Sequence, residues 1–157
     1  MILTGKEILK EVREGRITIT PFSEDDVETN SYDFHIDNVL KIYRNNVLDA
    51  NGENEMEEIE ITPKGLQLDP NRIYIGKTKE IIGSNHYVPI IKGRSSTGRL
   101  GIFVNITADL IDLGSIKQCT LMLNQGDGCS FPFFSFSHAL FSSTQGDSSP
   151  PSPPSAP

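Results

Sequence analysis

Short β-branched or alternating runs, each closed by a proline, a glycine or an Asx-type turn, recur from Ile17 to Leu123 and constrain the fold more than any other feature. Residues 17–20 are Ile-Thr-Ile-Thr and stop at Pro21. Residues 32–36 alternate apolar and polar, which predicts a half-buried strand with Tyr32, Phe34 and Ile36 inward and Asp33 at a solvated edge. Further strands are predicted at 39–43, 59–61, 65–68, 72–78, 87–91, 101–108 and 119–123, the last clear one. Asp69, Pro70 and Asn71 mark a turn. Residues 44–58 are polar, and the carboxylates of Glu53, Glu55, Glu57 and Glu58 are expected in a solvated loop rather than a metal site. Only one helix is predicted. Thr4 and Glu7 have capping-box spacing, Ile8, Leu9 and Val12 share a face, and Gly15 stops the run, giving a helix over 5–14. Many short strands with one helix predict an all-β barrel or jelly roll.

Chemistry concentrates between residues 93 and 102. Gly93, Arg94, Ser95, Ser96, Thr97, Gly98, Arg99, Leu100, Gly101 and Ile102 place two arginines around two hydroxyls, with glycines on both sides. Asp and Glu outnumber Lys and Arg by 21 to 14 over the chain, yet none occurs between Ile81 and Ala108. Lys92, Arg94 and Arg99 therefore form a local positive spot. Ser95 or Ser96 is expected to cap a short helical turn whose exposed N–H groups attract an anion. Arginine adds bidentate bonds to phosphate oxygens. The stretch reads as a phosphate cradle, with a plain surface turn as the alternative. Downstream, Asp112 sits between Ile111 and Leu113, just before Gly114. It can bind a sugar hydroxyl, orient a water, or close a turn on its own backbone.

The net charge of −7 and pI near 4.9 argue against general nucleic-acid binding. No apolar run is long enough for a membrane helix, and the charged N-terminus has no signal-peptide core, so a cytoplasmic setting is expected. Cys119 and Cys129 fit no zinc spacing and are expected to be reduced thiols. His35, His86 and His138 are scattered, and the zinc-deaminase pattern is absent. Phe131, Phe133, Phe134, Phe136 and Phe141 are five of eight phenylalanines, and five of ten prolines fall in the last eight residues. This predicts a domain over 1–125 and an atypical tail over 126–157, Phe-rich and then Ser/Pro-rich, partly disordered.

With these residues in view, the chain resembles the dCTP deaminase family, relatives of the trimeric dUTPases. The likeness rests on the start at Met1-Ile2-Leu3, on Asn30-Ser31-Tyr32-Asp33, on residues 93–101 and on Thr107-Ala108-Asp109-Leu110-Ile111-Asp112, and covers about residues 1–123. It implies a distorted jelly-roll barrel of the β-clip, dUTPase-like kind, in a homotrimer with sites between subunits. It implies dCTP or dUTP as ligand, with Mg2+ on the triphosphate and no protein metal site. By position, Arg94, Ser95, Ser96, Thr97, Gly98 and Arg99 would hold the triphosphate, with Ser95 and Arg99 nearest the chemistry. Asp112 would meet the deoxyribose or orient a water. The main chain around Ile106, Thr107, Ala108, Thr120 and Leu121, with Met122 beside it, would read the base.

The implied activity is zinc-independent deamination of dCTP to dUTP. The alternatives are a dUTPase-like diphosphohydrolase giving dUMP, or an impaired nucleotide-binding protein. Two departures separate the chain from the family. The glutamate that shuttles protons there falls at Met122, which cannot act as a base. Asp109, ahead of Asp112 and Asp127, is the best substitute. After Asn124 the family's closing strands and Gly-Met-x-x-Gly-like turn are missing, as expected of a frame change or fusion.

Overall fold

The computed structural model describes residues 1–105, 107–125 and 137–143 of the 157. Helix α1 (Gly5–Arg13) forms as its sequence requires. The Thr4 side chain accepts from the Glu7 N–H, and the Glu7 carboxylate accepts from the Thr4 N–H at 2.8 Å. Gly15, at φ 72°, ends it. Gly5 has a packing role as well, because a Cβ there would lie 2.0 Å from the Glu28 carbonyl oxygen. A short 3-10 turn follows at Glu24–Asp26.

Among the described residues, nine strands make two antiparallel sheets. They are β1 (Ile17–Thr20), β2 (Tyr32–Phe34), β3 (Val39–Tyr43), β4 (Met56–Glu60), β5 (Tyr74–Ser84), β6 (Tyr87–Gly93), β7 (Ile102–Val104), β8 (Lys117–Gln125) and β9 (Ser137–Ser143). The larger sheet runs β4-β3-β5-β8-β7, with β1 also on β5; the smaller runs β2-β9-β6. Their apolar faces share one core. Ile17, Leu40, Ile82 and Leu121 of the first meet Tyr32, Phe34, Ile91 and Phe141 of the second, with Ile8 of α1. Burial of each such side chain contributes about 1.5–3 kcal/mol. This is the all-β, dUTPase-like arrangement expected, with its short N-terminal helix.

Several elements differ from the expectation, each for a physical reason. β4 extends back to Met56, into the predicted loop. It is an edge strand whose glutamates face water, and Glu58 pairs with Lys41 at 3.1 Å across the ladder. Residues 65–68 are not a strand. Gly65 turns at φ 93°, and Leu66 and Leu68 pack on the core without a ladder. β5 continues through Lys79 and Glu80 because Glu80 is buried against His35, whose N–H and Nδ1 lie 3.0 and 2.8 Å from its carboxylate. The strand at 101–108 shortens to β7, with Phe103 exposed. β9 is an addition, since 119–123 is not the last strand. Its backbone pairs with β2 on one side and β6 on the other, and Phe141 enters the core. The other residues after 125, including Asp127, Cys129 and four of the phenylalanines, lie outside the described residues. Among the described residues no helix is long and apolar enough to cross a membrane.

A polar network locks α1 onto the sheets. Glu11, 6% exposed, accepts from Arg16 and from the Tyr87 hydroxyl at 2.7 Å. The Arg16 guanidinium, opposed by burial, holds the Glu11 carboxyl down to about 2. Its folded value thus lies below its unfolded one, so this stabilisation is complete above the ordinary carboxylate range and is lost as pH falls towards 2. Glu11→Ala is expected to cost about 1.5–3 kcal/mol at neutral pH. In urea melts the gap from wild type should narrow steadily as pH drops from 5 to 2.

Candidate functional site

Helix α2 (Ser95–Arg99) carries the cradle. It follows β6 directly and begins one or two residues earlier than a cap at Ser95 or Ser96 would place it. Arg94, extended at φ −65° and ψ 145°, is the N-cap, and no side chain caps the helix. Neither Ser95 nor Ser96 is the cap; they occupy the first two helical positions, ahead of the first ladder bond, Gly98 N–H to the Arg94 carbonyl at 2.9 Å. The two serines are exposed and line a cavity of about 560 Å3 with Lys92, Arg94 and the Glu28–Ser31 loop. Thr97 is buried beneath the turn. A Cβ at Gly98 would meet open space, while Gly101 sits at φ 75° and closes the helix. Arg99 is exposed four residues after Ser95, on the same side of α2.

The cradle is not the uncompensated positive spot its sequence suggests. Arg94 Nη1 lies 2.6 Å from Asp33 Oδ2, and Nη2 lies 4.0 Å from Glu28. Asp33 was expected in solvent; its side chain is only 7% exposed, because both faces of β2 are covered. Lys92 pairs with Asp109. That contact holds the Asp109 carboxyl below its ordinary value, which weakens it as a base. Arg99 makes no ion pair with a described residue.

A second cavity, about 210 Å3, gathers Ala108, Asp112 and Thr120 with Asn105, Ile111, Ser115, Lys117 and Cys119. The loop that forms it is stitched to β6: Ile91 N–H donates to the Asp109 carbonyl at 2.7 Å and Ile111 N–H to the Pro89 carbonyl at 2.9 Å. Asp112, Thr107, Ala108 and Thr120 are exposed. Cys119 is a buried free thiol whose pKa burial pushes up to about 11, so it is not a nucleophile at neutral pH. Strand β8 alternates. Cys119, Leu121 and Leu123 face the core, while Thr120 and half-buried Met122 share the opposite face. Leu121 can therefore offer only main chain to a ligand. Ile106 lies outside the described residues.

The two cavities take successive β6 residues, Ile91 for the second and Lys92 for the first. Successive side chains leave opposite faces of a strand. One chain thus brings Ala108, Asp112 and Thr120 of the predicted nucleoside set to one cavity, without Thr107, Leu121 or Met122, and Arg94, Ser95 and Ser96 of the predicted phosphate set to the other, without Thr97, Gly98 or Arg99. Sequence reasoning missed Asp33, Glu28 and Asn105. Asp33 reaches Arg94 across β9, which aligns Asp33 and Lys92 opposite the same position, His138. No local pattern carries that register.

A family model described as dCTP deaminase-like matches residues 2–129. The chain is 47% identical over 121 residues to a protein of Clostridium botulinum (strain Eklund 17B / Type B) named "dCTP deaminase, dUMP-forming", covering 77% of this chain and 69% of that one. Proteins of the same name from Clostridium beijerinckii and Cytophaga hutchinsonii are 45% and 41% identical over the same length and coverage. Among solved structures, the 2′-deoxycytidine 5′-triphosphate deaminase of Agrobacterium tumefaciens superposes with a TM-score of 0.66 at 19% identity, over 89% of this chain and 47% of that one. That likeness concerns the fold, and the chain spans under half of that structure's length. By resemblance to its sequence relatives the chain is a deaminase-like hydrolase. It belongs to the dCTP deaminase-like family.

Proposed function

We propose that the chain binds dCTP and dUTP and ends its reaction at dUMP, with deamination as the slow limb. The gathering of Ala108, Asp112 and Thr120 around one cavity carries this reading. It supplies a carboxylate, a hydroxyl and main-chain groups, the chemistry a deoxynucleoside needs. The relatives named dUMP-forming support the product. This departs from simple release of dUTP, since hydrolysis of the triphosphate follows or replaces deamination.

Arg99, Ser95 and Ser96 hold the triphosphate, with Arg94 positioned by Asp33. Asp112 meets the deoxyribose and orients the water that cleaves the triphosphate, releasing pyrophosphate. Deamination needs water to attack C4 of cytosine and a group to move a proton as ammonia leaves. Met122 supplies none, and Asp109 is occupied by Lys92. Zinc plays no part in the reading, which is supported by the absence of the zinc-deaminase pattern from the sequence.

Magnesium fits the first cavity as a passenger on the nucleotide. Among the described residues no group of three His, Cys, Asp or Glu could hold a metal. Magnesium usually keeps waters and phosphate oxygens with at most one or two carboxylates, and Glu28 is the carboxylate at hand. Bound there, the ion neutralises phosphate charge. A homotrimer with shared sites accounts for the separation of the two cavities. Exposed Leu100, Phe103, Leu110 and Leu113, 44–64% accessible, lie on the elements that line them and supply an apolar surface for it.

Incubated with Mg2+, the protein is expected to convert dUTP to dUMP and pyrophosphate, and dCTP far more slowly; chelation by EDTA stops both. Met122→Glu should raise ammonia release from dCTP by about 10²-fold or more. A folded, nucleotide-binding Met122→Glu protein with no gain would sink this account of the slow limb. Arg99→Ala is expected to weaken triphosphate binding by about tenfold or more without lowering the melting temperature. Arg94→Ala should lower both, because it strips Asp33 of its guanidinium. Equal melting temperatures for the two variants would show that Arg94 does not hold Asp33.

A further inference from the structure

Asn105 ends β7 in a conformation that side chains rarely adopt. Its φ is 61°, the only positive value at a non-glycine residue among the described residues. It is buried, 9% exposed. Its backbone N–H donates to the Met122 carbonyl at 3.2 Å, which ties it to β8. Its side-chain Nδ2 donates to the Ala108 carbonyl at 2.6 Å. Asparagine tolerates the left-handed region because its short amide can bond nearby backbone. Local strain of this kind persists where the surroundings over-determine it, often at a ligand site. Here the residue also lines the second cavity, with Ala108, Asp112 and Thr120.

We infer that Asn105 is a positioning residue for the nucleoside: it turns the chain off β8 and pins Ala108, so that main chain, rather than side chain, faces the base. The inference rests on the nucleotide reading of the second cavity. Two features make it more than a turn. The left-handed residue stands one position past β7 and lines the same cavity as Thr120. The amide fixes the Ala108 carbonyl, so the peptide groups around Ala108 keep one orientation. A base read by main chain needs that orientation held before it arrives, since a floppy segment would have to be ordered on binding. The triphosphate half does not depend on it, because Asn105 lines the second cavity while Lys92, Arg94, Ser95, Ser96 and residues 28–31 line the first.

The test separates the two halves of the ligand. The full chain is titrated calorimetrically, with Mg2+, against 2′-deoxyuridine 5′-(α,β-imido)triphosphate and against inorganic tripolyphosphate, which has no base. Asn105→Gly keeps the backbone freedom and removes the amide. It is expected to lose about tenfold in affinity for the nucleotide, the worth of one such bond, with tripolyphosphate affinity unchanged. Asn105→Asp keeps the shape but has no donor for the Ala108 carbonyl, and it should show the same selective loss should the glycine variant fold poorly. Variants that bind the nucleotide like wild type, or that lose both probes equally, overturn the inference. Wild type that binds tripolyphosphate but not the nucleotide overturns the nucleotide reading itself.

Discussion

One long strand has to serve three partners, and the rest of the molecule follows from how it does so. β5 pairs along one edge with β8 over almost its whole length, and along the other with β3 at its start and β1 at its end. The register with β8 shifts between Lys77 and Ile81. A ladder broken in the middle of a core strand leaves polar groups to be satisfied. Thr78, fully buried, does this with its side chain: its hydroxyl donates to the Glu80 carbonyl at 2.6 Å and accepts from the Cys119 N–H at 2.9 Å. The bulge thereby sets the phase of β8 from Cys119 onward. That phase turns Leu121 into the core and Thr120 and Met122 to the opposite face.

Charge is arranged with the same economy. The residues around the first cavity include two cations, Lys92 and Arg94, and both are met by carboxylates of the same chain. The attraction that sequence assigns to three positive side chains is therefore mostly spent internally. A buried or half-buried ion pair fixes geometry more than it adds net stability. Asp33 holds Arg94 at the start of α2, and Lys92 holds the loop that carries Asp109. What is left for an anion is the hydroxyls of Ser95 and Ser96 and Arg99, which pairs with no carboxylate among the described residues. Such a site favours a polyanion whose charge is already partly neutralised over a bare one.

Much of this was legible from local pattern. The capping box at Thr4 and Glu7, the inward set Tyr32, Phe34 and Ile36, and the strands at 17–20 and 39–43 depend on neighbours in sequence, and they stand where predicted. Three of the failures share one cause. Glu58, Glu80 and Asp33 are charged residues whose partners, Lys41, His35 and Arg94, lie far along the chain. A carboxylate seen alone reads as a solvated turn, whereas one with a cation across a ladder can sit in a strand or a core. β9 was missed for a related reason. Its pairing with β2 and β6 is non-local on both sides, and the composition around it resembles a tail. For the site, the residue types and spacing marked Asp112 and the 94–99 motif. Asn105 carried no such mark, since an asparagine after a strand is common and only its backbone angle distinguishes it.

Met122 shows why fold and chemistry can part company in such a chain. Its neighbours on the inner face of β8, Cys119, Leu121 and Leu123, carry the packing, and none of them depends on what residue 122 is. The backbone of 122 does structural work by accepting from Asn105, and any residue type can do that. An outward side chain on a strand anchored from within is free to change with little cost in stability. A carboxylate there would be a proton shuttle, and a thioether is a half-buried apolar contact. The likeness in sequence rests on Met1-Ile2-Leu3, on residues 30–33, on residues 93–101 and on the 107–112 loop. The family model spans position 122 as well, within residues 2–129, so membership does not turn on that one side chain. The same strand thus keeps the fold through one face and presents a thioether, with no group that titrates, on the other.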